Sequence, residues 1–306
     1  MYRFSALIGI GLLLLLLRVG ISAKGTEKPN KSTKSTMEAN NQKKDIEQFI
    51  DVSSTFNPPQ TLPSNFKGHS LQQIVKKLES VSNALNKDQF ESSETYKARL
   101  ENLDSIITPL SMENTYAFRI GAINTSYDAD KQVLTTYFYI RSDGSVEMDR
   151  DFVVTGSYPA VNKYGVKAIV QEISDSHYSL KFPTDKFIDI FDSTLMEIRK
   201  KSKFSVLSEF TIKCKASIPI QPELAKSEID NVAFLILVGL RTKYPGGLLL
   251  ISTDKSYPSF DSPSEINIIK KELKANMKAA YLFSRVSGHI FAKFNGDSDS
   301  QKMTCE

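Results

Sequence analysis

The sequence predicts an α+β fold: an N-terminal αα-hairpin packed on a mainly antiparallel sheet, with one or two further helices. Three observations predict it. Apolar residues recur at helical spacing from Ser70 to Ile107, the period shortens to that of strands beyond Pro109, and the strands come in runs broken by a few helices. Regular β-α alternation, the mark of a doubly wound sheet, is absent. With 306 residues, 41% apolar and 24% charged, the chain has ample material for a core. Its composition excludes collagen, coiled coil and disorder along the full length.

Residues 1–23 read as a signal peptide. Arg3 precedes the apolar run Phe4 to Leu17, and the small residues Ser22 and Ala23 mark the cleavage site. The alternative is a retained anchor, since continuing through Arg18 to Ala23 reaches the ~20 residues that span a bilayer. No Cys follows the run, which closes the lipoprotein route. The expected location is periplasmic or secreted; with the anchor retained, it is the inner membrane facing the periplasm. Losing Arg3 and Arg18 lowers the formal net charge from +4 to +2.

Residues 24–66 read as a disordered linker, basic and Pro-containing. Lys24 to Lys44 contains six lysines against Glu27 and Glu38, with too few apolar side chains to offset the entropy of ordering. Asp45 to Phe66 adds Ile46, Phe49, Ile50, Val52 and Phe56 before Pro58, Pro59 and Pro63, which suggests a short element and an extended connection. Membrane contact is expected only through residues 1–44.

The helical hairpin is assigned to residues 67–110. Leu71, Ile74, Val75, Leu78, Val81 and Leu85 form one apolar stripe, and Ser70 with Gln73 has the capping-box pattern. A second helix follows closely, capped by Ser92 or Ser93, with Tyr96, Leu100, Leu103 and Ile107 as its stripe and Thr108-Pro109 as its stop. So short a connection predicts antiparallel neighbours.

Residues 111–295 are assigned to the mainly β domain. Strands are expected near Tyr116 to Ile123, Val133 to Ile140, Val146 to Val154, Val166 to Ile173 and His177 to Phe182, with turns at Asp143-Gly144 and Asp175-Ser176. Val133 to Ile140 carries large residues on both alternating faces, so a central strand covered on both sides, with helices packed on the sheet, is predicted. Thr184 to Lys201 reads as a helix, Phe204 to Ile218 as extended and Pro222 to Asp230 as a short helix. Val232 to Leu240 reads as a buried strand, and Leu248 to Ser252 as a strand after the turn Pro245-Gly246-Gly247. A last helix is expected from Ser264 to Ala279, then two strands between Tyr281 and Phe294 about Ser287-Gly288. Residues 296–306 are a polar tail.

Cys214 and Cys305 are the only cysteines, and export would place them where disulfides persist. A possible disulfide joins them; alternatively Cys214 is a small core residue.

Signatures of catalysis and ligation are missing. His69, His177 and His289 have no second ligand at close spacing, so no metal site is assigned. Asn124, Ser126, Asp128 and Asp130 alternate oxygens as a calcium loop does, but Ala129 stands where the sharp-turn Gly belongs and Thr135 where the bidentate Glu belongs. These are expected turn residues. The tail residues Asn295, Asp297, Asp299 and Glu306 match calcium spacing only in part. Ser252-Thr253-Asp254-Lys255 has the S-x-x-K spacing of penicillin-recognising enzymes without the companion motifs. Tyr137, Phe138 and Tyr139 suggest a stacking platform, but core packing explains them without one, and nucleic acid is not an expected partner. No catalytic residue, cofactor-binding residue or cofactor is assigned.

Across residues 66–139, "FKGHSLQQIVKKL", "KDQFESSETYKARL" and "YDADKQVLTTYFY" resemble a pattern of uncharacterised exported proteins of Gram-negative bacteria, in which Phe90, Glu91, Tyr96 and Arg99 open the second helix. The resemblance covers about a quarter of the chain. It implies a periplasmic address and no catalytic residue. Tyr96 and Arg99 share a helix face, so Arg99 is expected over the ring or paired with a carboxylate.

Together these readings predict an exported, non-enzymatic binding or interaction module for an unknown protein or cell-envelope ligand. The alternative is a hydrolase whose active site is assembled from distant loops.

Overall fold

The computed structural model describes residues 48–85, 87–161, 164–183, 211–240, 247–259, 262–294 and 303–305. The signal peptide and the basic part of the linker, the helix expected at 184–201, the turn at Pro245-Gly246 and most of the polar tail lie outside the described residues.

The organising element is the run VAFLILVGL at Val232–Leu240. All nine of its residues are buried, so both faces of this strand must be covered. Phe234, Ile236 and Val238 enter the main core, while Ala233, Leu235 and Leu237 enter a second cluster on the opposite face. Two layers follow from that division.

Thirteen strands are described: β1 Gln48–Ile50, β2 Phe66–His69, β3 Tyr116–Gly121, β4 Ile123–Asp128, β5 Val133–Arg141, β6 Ser145–Val161, β7 Lys167–Lys181, β8 Thr211–Pro219, β9 Val232–Leu240, β10 Leu249–Ser256, β11 Ser264–Ser284, β12 Ile290–Phe294 and β13 Thr304–Cys305. A nine-stranded sheet runs β1-β2-β3-β9-β11-β7-β6, with β10 and β12 also paired to β11. A four-stranded sheet runs β13-β8-β5-β4. The two sheets share the main core, where Phe138 of β5 meets Phe234 of β9 with ring centroids 5.0 Å apart.

The helices are short: α1 Leu71–Ser80, α2 Ser82–Leu85, α3 Ser93–Glu101, α4 Leu103–Ile107 and α5 Pro222–Glu228. Ser70 caps α1 by accepting the Gln73 amide at 3.3 Å, and Ile74, Val75 and Leu78 are fully buried. Ser92 caps α3, which buries none of its residues.

The α+β class with an N-terminal helical hairpin on a sheet is therefore overturned. Of the described residues 55% are strand, in two sheets, and 18% helix, and no such hairpin is seen among them. Breaks at Val81 and Asn102 split both expected helices. The stripe of α1 packs into the sheet core, leaving α3 on the surface rather than against it.

Three further expectations are corrected. Ser264 to Ala279 is strand, the first part of the 21-residue β11. Its neighbours β7 and β10 pair with it continuously from Ser264 to Lys274 and from Ile266 to Leu273, and this ladder overrides the helical spacing. Asp175-Ser176 is no turn but the buried middle of β7, which joins two expected strands into one. β5 is central in its sheet, yet only one face is buried, and it packs against the other sheet in place of helices.

The segment read as the Pro-containing part of the linker is built into the fold from Gln48 onward. Phe56, Leu62 and Phe66 cover the second face of the large sheet. Backbone bonds stitch the segment down: Phe56 N–H to Thr115 O at 2.7 Å, Leu62 N–H to Gly288 O at 2.9 Å and Asn65 N–H to Arg285 O at 2.7 Å. These bonds supply the partners that a polar backbone lying on a sheet face requires.

Cys305 stands opposite Cys214 in the register of β13 and β8, and the two are joined by a disulfide with Cα atoms 4.1 Å apart.

Candidate functional site

Strands β6, β7, β11 and β10 extend past the region where the two sheets share their core and form an arm. Their registers align side by side, so that Val154, Ile173, Ile266 and Ser256 make one row across it. Alternate residues of a strand share a face. One face of the arm thus collects Phe152, Val154 and Pro159 from β6, Ile169 and Ile173 from β7, and Ile266 and Ile268 from β11. Phe152 is 53% exposed, Val154 55% and Ile169 62%.

The opposite face is more polar. Lys255 Nζ lies 2.6 Å from Glu265, whose carboxylate also accepts the Tyr158 hydroxyl at 3.1 Å. These two bonds, Lys255 first, hold the Glu265 carboxyl below the usual carboxylate range. Nearer the tip this face sinks into an apolar hollow of about 470 Å³, lined by Ala160, Ala168, Val170, Pro258 and Pro263 among others.

At the root of the apolar face stands a charged row. Arg150 grips Asp175 with both arms of its guanidinium, Nε at 2.7 Å and Nη2 at 2.6 Å. His177 sits between two carboxylates, with Nε2 3.2 Å from Asp175 and Nδ1 3.2 Å from Glu147. The Arg150 pair is the main cause of a lowered Asp175 pKa, and His177 adds to it against the opposing effect of burial. A second cation, Lys181, bonds Asp143 at 2.7 Å and Glu272 at 3.4 Å. Burial pushes the Asp143 carboxyl up, but Lys181 and the Ser145 hydroxyl and amide outweigh it and hold the pKa at about 2.

Asp175, His177 and Ser179 alternate along one face of β7, the residue types of a nucleophile and its base. The geometry does not serve that chemistry. Both imidazole nitrogens of His177 are engaged by carboxylates, so neither addresses Ser179 in this arrangement.

The residues singled out from the sequence are dispersed. His69 is buried at the end of β2, with both ring nitrogens bonded to backbone. His289 neighbours Phe291, with ring centroids 5.1 Å apart. Among the described residues, no group of three His, Cys, Asp or Glu is placed to hold a metal. Asp128 spends its oxygens on its own turn: Oδ1 accepts the amides of Asp130 and Lys131, each at 3.1 Å, and Oδ2 takes Lys131 Nζ at 2.9 Å. Ser252, Thr253, Asp254 and Lys255 lie in β10, not at a helix start. Of the three aromatics on β5, Phe138 is core, whereas Tyr137 and Tyr139 are half-buried on the other face.

The Phe90, Glu91, Tyr96 and Arg99 pattern is a clamp between α2 and α3. Arg99 bonds Glu91 at 3.0 and 2.8 Å and lies 5.3 Å over the Tyr96 ring, whose hydroxyl donates to Leu85 O at 3.0 Å. Phe90 itself is exposed.

Sequence reasoning missed the arm, because its charged row joins residues 25 and 30 positions apart. One signal was available. Taking Gly165, with φ +79°, as the turn of a long hairpin pairs Val161 with Lys167 and leads back toward Arg150 opposite His177. The two bulges in β6 hide that register from simple counting.

A scan against protein-family models and searches of curated proteins and of solved structures found no match for this chain.

Proposed function

We propose that this chain is an exported, non-enzymatic interaction module that holds a protein partner against the apolar face of its arm. The observation that carries the proposal is the exposed pair Phe152 and Val154, which adjoins Ile173, Ile266 and Ile268 on one face of the arm and is continued by the exposed Ile169 beyond the Ser157–Gln171 row. Exposed apolar patches with a charged border mark interaction surfaces, whereas scattered single residues do not. A protein surface suits this face better than a sugar does, because its side chains offer few hydrogen-bond groups to hydroxyls. The charged row at the root supplies such a border and would fix the partner's orientation.

The periplasmic or secreted address rests on the N-terminal apolar run and on the disulfide, which persists in oxidising compartments. Among the described residues, no helix is long and apolar enough to cross a membrane. A Ser-His hydrolase site on β7 would need an imidazole nitrogen free to serve Ser179, and both nitrogens of His177 are engaged.

The test places a photo-crosslinking amino acid at Phe152 in the native host, with Phe90 as an exposed control on the helices. A discrete partner adduct at Phe152 that disappears in Ile169→Ser supports the proposal. Equal labelling at the two positions, or none at Phe152, refutes it.

A further inference from the structure

The two edge strands of the arm are built differently. The β6 edge is guarded: its register with β7 breaks at Met148 and again at Thr155, and Pro159 lacks an amide hydrogen. Bulges and prolines are the usual means of stopping an edge from recruiting another strand. The β10 edge has neither. Its eight residues pair with β11 without a break, from Leu249 opposite Leu273 to Ser256 opposite Ile266, and none is proline. Among the described residues, β10 pairs with β11 alone.

The Lys255 amide donates to Asp254 Oδ1 at 2.8 Å, so it points away from the ladder. Alternation along the strand then turns the backbone groups of Thr253 and Ile251 outward as well. Thr253 and Ile251 thus present donors and acceptors to another strand and Lys255 its carbonyl, while the Lys255 amide is held by Asp254.

We propose that the β10 edge pairs antiparallel with β10 of a second copy of this chain, on a two-fold axis through Thr253. Successive positions alternate between hydrogen-bonded and non-hydrogen-bonded pairs, so a two-fold axis must set one residue opposite its own copy. An axis at Asp254 or Lys255 sets like charges face to face. An axis at Ser252 would put Asp254 against the apolar Leu250. The axis at Thr253 gives Thr253 against Thr253, a favourable cross-strand pair, and Ser252 against Asp254, a hydroxyl against a carboxylate. It also sets Ile251 against Lys255, whose stem is apolar, and Leu250 against Ser256. No like charges oppose each other anywhere along it.

A single strand added at an edge covers less than the ~1,200 Å² of a standard interface, so a weak reversible dimer is expected. The pairing uses the edge of the arm and leaves the apolar face of the proposed partner site open, so either proposal can fail without the other.

Sedimentation velocity of the purified chain, from about 10 µM to about 1 mM, tests it. The wild type should move from monomer to dimer across that range. Thr253→Lys sets two ammonium groups together on the axis and should weaken dimerisation at least about tenfold. Ile251→Glu sets a carboxylate against Lys255 of the second copy and should tighten it. Ser157→Lys, on the guarded β6 edge, should change nothing. A wild type that stays monomeric, a dimer that Ser157→Lys abolishes, or an Ile251→Glu that weakens association would overturn the proposal.

Discussion

The amide of Ala117 donates to Nδ1 of His69 at 2.9 Å. That bond fixes the tautomer, since Nδ1 must be bare to accept it, and the proton on Nε2 is directed at the Ser54 carbonyl 2.9 Å away. His69 thereby ties β3 to the segment that covers the second face of the sheet. The same strand pair is close enough that a Cβ on Gly68, at φ +79°, would run into the Ala117 carbonyl.

Burial lowers the His69 pKa, and the bond to the Ser54 carbonyl only partly opposes it. A group whose folded pKa is depressed contributes stability that is full above its unfolded value of about 6.5 and is lost as the pH falls through the folded value. The urea midpoint should therefore drop below about pH 6.5, and His69→Ala should reduce that dependence. The substitution also leaves the Ala117 amide and the Ser54 carbonyl unpaired, at a cost of about 2 to 4 kcal/mol at pH 7.5.

Asp175 is nearly inaccessible while its partner Arg150 is half exposed. Replacing Arg150 with Met removes the main force that lowers the Asp175 pKa. NMR titration of the carboxyl should show its pKa rise toward the ordinary 3.8 or above. The stability that Asp175 contributes is present above its unfolded value and lost as the pH falls through the depressed folded value, so in Arg150→Met this acid-side loss should shrink or vanish. The exposure of Arg150 keeps the cost at neutral pH modest.

Leu78 is fully buried between α1 and the sheets. Leu78→Asp puts a carboxylate there without a partner and should cost about 4 kcal/mol or more, enough to unfold a protein of ordinary stability. A melting temperature within a degree of the wild type would contradict this packing.

The disulfide closes a loop of 91 residues. In the chain-entropy description that constraint contributes about 4 to 5 kcal/mol, mostly through the unfolded chain. Cys305→Ser should lower the urea midpoint by a corresponding amount, and reduction of the wild type should reproduce the shift. If reduction leaves the midpoint unchanged, the bond does not constrain the unfolded chain as described.

Local chemistry was legible wherever it sufficed. The Ser70 cap, the turn at Asp143-Gly144 where the Gly144 amide bonds Arg141 O, the short helix opening at Pro222 and the apolar run of β9 all follow from residues within a few positions of one another. A strand with nine buried residues admits few other readings. The turn role of Asp128 was legible too, because an Asx turn needs only the next three residues.

What only the tertiary structure decided depends on partners far away in the chain. Residues Ser264 to Ala279 satisfy a helical pattern on their own, and strands arriving from residues 171–181 and 249–256 make them extended. Asp175 looks like a turn residue until Arg150, twenty-five positions earlier, neutralises it inside a strand. Phe56 and Leu62 look like linker residues until β9 presents a second apolar face to cover. In each case the local preference amounts to a few tenths of a kcal/mol per residue, and ladder bonds with burial exceed it. The sequence by itself determined the Ser70 cap, the turns at Asp128 and Asp143-Gly144 and the buried run of β9; the pairing of distant strands decided the two-sheet architecture and raised the arm on which the proposed site stands.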